Sequence, residues 1–402
     1  MSYFDLTTWR AFTKEEMLTF LASLRQNPGD KKKNGPKKRG SNLIIQKMAS
    51  PFDIYTYLHA RFGPPNGLQT FLARDDSDNL FHWDYYLKAA GKSLTFTGAA
   101  QEVHVWFNDN LSDAECLKFI ENLKVDFRRV GRSKREFAAT LEKWNIFPNQ
   151  YLSIAERCAD LYESIETALP KVNRAIFGDN FSYKNLQTHI NNKTLVKLIT
   201  RLTTAPTELA VLMPVMFESF IGLLISGLIK PELKQNQRMF ESFRRSPLDI
   251  KIMDLANRCK GFKRPIDYNN PSFSRYRNII NKRNDIIHGN IDPSKDVLYN
   301  VYFHNKIPIY KSGGDRIQQY FISLLDQYKP QQVLEDYIAT HDFIAEILGH
   351  LEPQVRESLL LVMGDSQPGW DEKRNIFGHL FPHRVVTSYF EGMRYDWDLR
   401  AE

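Results

Sequence analysis

Between Leu209 and Ile229 the chain carries a single charge, Glu218. An apolar run of this length can span a bilayer or form the central helix of a core. Glu218 decides between the two, because a lone carboxylate in the middle of a span is expensive. Pro214, Gly222 and Gly227 interrupt the run further. A buried helix of a soluble protein is therefore expected, with no membrane partner. A helix that is apolar on most of its surface must be surrounded by other apolar faces.

The C-terminal part supplies such faces. From Gln150 onward, Leu152, Ala155, Cys158, Leu161, Tyr162, Ile165 and Leu169 recur at helical spacing, and Leu195 to Leu202 continues the pattern. Gln332 to Leu351 repeats it with Val333, Tyr337, Phe343, Ile344, Ile347 and Leu348. The N-terminal part reads differently. Thr13 and Glu16 form a capping box, and Phe52 to Phe62 predicts a helix ended by Gly63-Pro64-Pro65. Strands are predicted at Leu68–Leu72, Phe81–Leu87, Ser93–Thr97 and Glu102–Phe107, and a helix at Ser112–Lys124. After Pro293 a small hairpin is expected, Asp296–Phe303 and Ile307–Tyr310, turning at His304-Asn305-Lys306. A chain of 402 residues suits two or three domains. The fold class is α+β, mainly α. Residues 1–147 form a mixed α/β sensing or targeting domain. Residues 148–402 form an α-helical bundle with a β-hairpin insertion and a C-terminal extension.

The stretch Tyr276 to Pro293, YRNIINKRNDIIHGNIDP, carries the polar cluster. Tyr276, Ile279, Ile280, Ile286 and Ile287 recur at helical spacing, and Gly289 and Pro293 are stop signals. His288 is thus placed in the last turn of a helix. Arg283 continues the apolar stripe, and a guanidinium there needs a partner or a task. Asn284 and His288 lie four apart and share a face.

These residues resemble the HEPN superfamily, whose signature is an Arg, roughly four to six residues and then a His, often with Asn directly after the Arg. The match is Arg283-Asn284 followed by His288-Gly289, and the resemblance covers roughly Thr207 to Lys295. It implies a small α-helical bundle, commonly dimeric, that acts as a metal-independent endoribonuclease. It also implies an acidic residue on an earlier helix facing the Arg and His, and Glu218 stands at the matching place in order. The implied biology is a bacterial toxin or anti-phage defence effector, with an antitoxin or another defence component as partner. A second Arg-Asn…His spacing, Arg374 to His379, contains Gly378 and is soon followed by Pro382, which argues against one helix carrying both residues.

The chemistry needs few parts. A base takes the proton of the ribose 2′-OH, an acid protonates the leaving 5′-oxygen, and a cation stabilises the charge between them. His288 suits the acid or base role. Arg283 presents a permanent planar fork to phosphate oxygens. Asn284 would orient the substrate or the imidazole, and Glu218 would hold Arg283 or tune His288. One chain offers one good histidine, so a symmetric dimer is expected to bring two copies to one cleft. The products would be 2′,3′-cyclic phosphate and 5′-hydroxyl ends. The alternative is a catalytically silent dimerisation or RNA-binding module with Arg283 and His288 as structural residues.

A net charge of +7 permits nucleic-acid binding without requiring it. Lys31, Lys32, Lys33, Lys37, Lys38 and Arg39 form a basic loop that would touch RNA or DNA phosphate, or simply be solvated. Lys282, beside Arg283, joins this candidate RNA-binding set. Arg128, Arg129, Arg132, Lys134 and Arg135 make a second basic patch. Cys116, Cys158 and Cys259 form no metal-ligand or disulfide pattern, which fits a reducing cytoplasm. The beginning of the chain, Met1 to Arg10, lacks the apolar segment of a signal peptide. No phosphate-binding Gly-rich loop, His-Glu-x-x-His or Gly-x-Ser-x-Gly is present, and no cofactor or metal is expected. Asp365, Asp371 and Glu372 are poorly spaced for a metal nuclease. His82 and His104 have no evident partner in the sequence.

Overall fold

The computed structural model describes residues 2–25, 40–68, 81–178, 187–188, 193–267, 269–290, 293, 297–311, 316–381 and 394–400. The fold is mixed α+β and mainly α. The chain divides into two compact units: residues 1–143 with 380–402, and residues 144–379.

The first unit is built on an antiparallel sheet. Its described elements are β1 (Trp9–Ala11), α1 (Lys14–Arg25), β2 (Asn42–Ile45), α2 (Pro51–Phe62), β3 (Trp83–Ala89), β4 (Lys92–Gly98), β5 (Val103–Phe107), α3 (Asp113–Asp126) and α4 (Gly131–Ala138). The strand order is β1-β3-β4-β5-β2. Ala90 and Gly91, both at positive φ, make the two-residue turn between β3 and β4. The register aligns Tyr85, Phe96, Val105 and Leu43 in one row across four strands, all fully buried. With Ile54, Tyr57 and Leu58 of α2 and Phe119, Ile120 and Leu123 of α3 they form one core. The predicted caps are made: Glu16 accepts from the Thr13 N–H, and Ser112 and Glu115 form a capping box. The predicted strand Leu68–Leu72 lies outside the described residues apart from Leu68, which is helical.

The C-terminal end also belongs to this unit. Tyr395 bridges Ile44, and the Asp396 carboxylate accepts from the backbone N–H groups of Lys47 and Met48 at 2.9 and 2.5 Å. The expected division at 147/148, with everything after it in one domain, is corrected on both counts. Trp144–Ile146 is a strand of the second unit, and the tail returns to the first. Both errors come from pairings between residues far apart in sequence, which local pattern does not reveal.

The second unit is a helical bundle. Its described elements are β6 (Trp144–Ile146), α5 (Gln150–Phe177), α6 (Thr194–Leu228), α7 (Pro231–Gln235), α8 (Gln237–Arg245), α9 (Leu248–Arg258), α10 (Pro271–His288), β7 (Val301–His304), β8 (Ile307–Tyr310), α11 (Arg316–Tyr328), α12 (Pro330–Gly349), α13 (Pro353–Met363), β9 (Gly369–Asp371) and β10 (Ile376–Gly378). Strand β9 pairs with both β6 and β10, and β7 pairs with β8. By length and composition α6 could cross a membrane. Here Leu209, Met213, Met216, Phe217, Phe220 and Leu224 turn one continuous stripe into the bundle core, packed by α5, α10 and α12. Phe217 stacks on Phe343 of α12 at 5.3 Å and lies 4.0 Å from the ring of Tyr276 of α10. That aromatic cluster fixes α10, the helix bearing the polar residues.

Candidate active site

Helix α10 is closed at both ends as its sequence dictates. Asn270 caps the start, accepting from the Ser272 N–H at 2.7 Å, and Pro271 occupies the first helical position. Gly289 ends it in the left-handed region at φ 60°, its N–H donating to Ile286 O while the Asn290 N–H donates to Asp285 O at 3.0 Å. This is a Schellman closure, and it makes His288 the last helical residue. Lys282 pairs with Asp336 of α12 at 2.8 Å, and Arg275 donates to the Glu335 carbonyl at 3.0 Å. Lys282, expected to face RNA, is therefore engaged within the bundle, although about half of its side chain stays exposed.

The apolar stripe holds for Tyr276 and Ile279, which are buried, and then ends. Ile286 and Ile287 are 43% and 49% exposed, so the last turn of α10 projects from the core. Arg283 sits at the transition and is half-buried. Its Nη1 donates to Asn284 Oδ1 at 3.0 Å, while its Nε is buried without an acceptor. The Tyr276 hydroxyl is a second buried group without a partner. Burial above all, then Glu218, pushes that hydroxyl well above its ordinary pKa, and Arg283 opposes the shift. Glu218 and Arg283 thus both act on Tyr276, yet no ion pair within 4.0 Å joins them. Glu218 is exposed and lines a cavity of about 770 Å³ with Ser219, Arg244, Ser246 and Lys251. A second cavity of about 670 Å³ lies along α10, lined by Ile279, Lys282, Asp285 and Ile286. Arg283, Asn284 and His288 line neither of these cavities.

His288 is exposed and makes no hydrogen bond among the described residues. Arg283 and His288 are five residues apart, which is about 140° around a helix. The structure therefore brings Arg283 together with Asn284 and Tyr276, and sets His288 more than one turn further on and on a different side of the helix.

The other sequence candidates resolve as follows. Arg374 lies in the β9–β10 turn, bonded to Asp371 at 2.6 Å and over the Trp144 ring, and His379 Nδ1 meets Asp365 at 2.9 Å. The Arg374 N–H, then its guanidinium, hold Asp371 below the usual carboxylate range. This second Arg…His spacing is not on a helix, as Gly378 and Pro382 indicated. Asp365 and Asp371 are thereby taken up as ion-pair partners, and among the described residues no three His, Cys, Asp or Glu side chains gather as a metal-ligand set. In the second basic patch, Arg129 pairs with Asp126, Arg132 with Glu136 and Lys134 with Asp53. The basic loop of Lys31, Lys32, Lys33, Lys37, Lys38 and Arg39 lies outside the described residues.

Sequence reasoning missed two arrangements. The unpartnered Tyr276 hydroxyl was read only as part of an apolar stripe. His104, read as having no partner, bonds Glu102 at 2.8 Å, with both side chains about 95% buried. Their spacing of two, with Glu102 just before β5 and His104 on it, was the available signal. No protein-family model, curated protein or solved structure matches this chain.

Proposed function

We propose that the chain is a metal-independent endoribonuclease of HEPN type that cleaves RNA to 2′,3′-cyclic phosphate and 5′-hydroxyl ends. The observation that carries the reading is the end of α10. A half-buried Arg283 with an unused Nε donor is followed by an exposed His288 at a helix end closed by Gly289. In the proposed reaction His288 takes the 2′-OH proton. The 2′-oxygen attacks phosphorus, and the 5′-oxygen leaves with the proton that the His288 imidazolium then carries. Arg283 receives the phosphate oxygens, with Asn284 holding the guanidinium. Glu218 and Lys282 take no direct part in this scheme. Glu218 acts on the field around Tyr276, and Lys282 holds α10 to α12.

The angle between Arg283 and His288 supports a site shared by two copies, Arg283 from one and His288 from the other. The proposed setting is cytoplasmic. The chain would be a toxin or anti-phage effector, held by an antitoxin or defence partner, with the first unit sensing or selecting the target. The silent-module alternative is favoured by one observation: among the described residues no hydrogen bond orients the His288 ring.

Mixing Arg283→Ala and His288→Ala proteins distinguishes the arrangements. Each is inactive alone. After exchange of subunits the shared site predicts recovery of about a quarter of wild-type turnover, since half the dimers are mixed and each holds one intact site. No recovery from stably mixed dimers would refute the shared site. Turnover by either single variant at the wild-type rate would refute the residues.

A further inference from the structure

Charge is spread unevenly along the chain. Residues 230–264 carry ten lysines and arginines against four aspartates and glutamates, so this stretch holds +6 of the chain's +7. It comprises α7, α8, α9 and part of the connection to α10. Glu241 is taken up by Arg244 and Arg245, and Asp254 by Arg258 at 2.6 Å. Lys230 and Lys234 donate to Asn257 O and Asn375 Oδ1. Arg238, Lys251, Lys260, Lys263 and Arg264 have no carboxylate within 4.0 Å among the described residues. All but the half-buried Lys251 are exposed. Five free cations thus stand against Glu232 and Asp249. Their mutual repulsion is relieved by a polyanion.

We propose that this stretch binds single-stranded RNA, with phosphates on the free cations and a base in the cavity beside Glu218. The inference extends the ribonuclease reading by giving it a substrate surface, and it is tested on binding alone, so either can fail without the other.

The apolar sides of α8 and α9 argue against a lipid surface. Phe243, Ile252 and Leu255 are buried, and Phe240 packs on the bundle core. In this stretch the exposed large apolar side chains are Met239, Ile250 and Met253. A helix that lies on a bilayer turns its apolar face outward. Here that face is turned into the bundle and the charged side is left in water, which suits a soluble polyanion.

The cavity favours a nucleic acid over an acidic protein. It measures about 770 Å³, and Arg244 and Lys251 of the basic stretch line it together with the rings of Phe147, Tyr151 and Phe377. Phe147 and Phe377 lie 5.0 Å apart, ring to ring. Gly222 lines it from α6, and a Cβ added there would meet nothing within 4 Å. Cations that follow a backbone, beside aromatic rings that receive bases, are the two parts of a single-strand site. The bases of a duplex stay stacked and paired, and cannot enter. Glu218 on the same wall would oppose a phosphate, but its carboxylate suits the N–H groups of a base edge. Glu218 and Arg283 both act on Tyr276, so the cavity and the proposed cleavage residue lie within electrostatic reach of one ring.

Fluorescence anisotropy with a 2′-O-methyl oligoribonucleotide tests the proposal. This probe has no 2′-OH to attack, so the wild-type chain can be used intact. Wild type is expected to bind the single strand at least ~10-fold tighter than the matching duplex. Log affinity is expected to fall with log salt by about 0.7 per phosphate held. Lys251→Gln combined with Lys260→Gln and Lys263→Gln is expected to flatten that slope by about 2. Arg128→Gln combined with Arg132→Gln and Arg135→Gln removes the same charge from exposed positions of the first unit and is expected to leave the slope unchanged. Gly222→Leu fills the cavity and is expected to weaken binding ~10-fold at an unchanged slope. If the first triple variant fails to fold, Lys260→Gln with Lys263→Gln, both exposed, is read in its place with a flattening of about 1.4. Absence of binding by wild type, tighter binding of the duplex, or equal losses in the two triple variants would overturn the proposal. Wild-type affinity in Gly222→Leu would do so too. Capture of phosphatidylserine vesicles by a wild type that does not bind the strand would overturn it in favour of lipid.

Discussion

Arg283 is poorly explained by stability. A buried guanidinium nitrogen without an acceptor is a cost, and an apolar side chain of similar length would remove it. Arg283→Met is therefore expected to leave the unfolding midpoint unchanged or raised, while lowering RNA turnover about 10²–10³-fold. Urea titration and initial rates on one preparation separate the two effects. Loss of stability together with activity would make Arg283 a structural residue. Tyr276 can be tested in the same way. Tyr276→Phe keeps the ring between Phe217 and Phe343 and deletes only the unpartnered hydroxyl. Its stability is expected to equal or exceed wild type by up to ~1 kcal/mol. A clear loss in denaturant melts would show that the hydroxyl has a partner. The sequence made the Arg283-Asn284…His288 cluster legible, because spacing and stop signals are local. It did not disclose that Glu218 forms no ion pair with Arg283, since which side chains of α6 meet those of α10 is set by packing.

At the scale of elements, the closure of α10 is the sensitive point. Gly289 has φ 60° with open space where a Cβ would go, so Gly289→Ala costs only backbone strain, about 1–2 kcal/mol. Fraying of the last turn is expected to displace His288 and lower turnover more than that stability loss alone does. Activity measured well below the melting temperature checks this. Helix α12 carries a pH-dependent contribution. Burial lowers the pKa of His341 from its ordinary 6.5, Asp342 opposes the shift, and Nε2 has no partner. The folded state therefore favours the neutral ring. Its contribution is complete above pH 6.5 and is lost as pH falls through that value toward the lower folded pKa. Between pH 7.5 and about 5, wild type is expected to lose more stability than His341→Leu. Parallel pH curves would contradict this. The hairpin β7–β8 was legible from its turn and apolar runs, whereas its exposure was not, because periodicity does not say what covers a face.

The whole molecule is held together by pairings distant in sequence. Strand β6 pairs with β9, and Asp396 closes the N-terminal sheet from the far end of the chain. Asp396→Ala leaves the Lys47 and Met48 N–H groups without their acceptor and is expected to cost about 2–3 kcal/mol, localised to the first unit. Hydrogen exchange resolves that localisation, and equal loss in both units would contradict it. Such closures were illegible because nothing in a local window marks them. The α+β, mainly α character was legible, since it is written in period-2 strands and long 3.6-period helices. The central claim joins one helix end to RNA cleavage. Its most direct test is turnover of RNA by purified protein in EDTA, wild type beside Arg283→Ala, His288→Ala and Arg374→Ala, with product ends identified. The account predicts cyclic-phosphate ends from wild type and Arg374→Ala, and none from the other two. Cleavage that survives Arg283→Ala and His288→Ala, or that leaves 5′-phosphate ends, would contradict it.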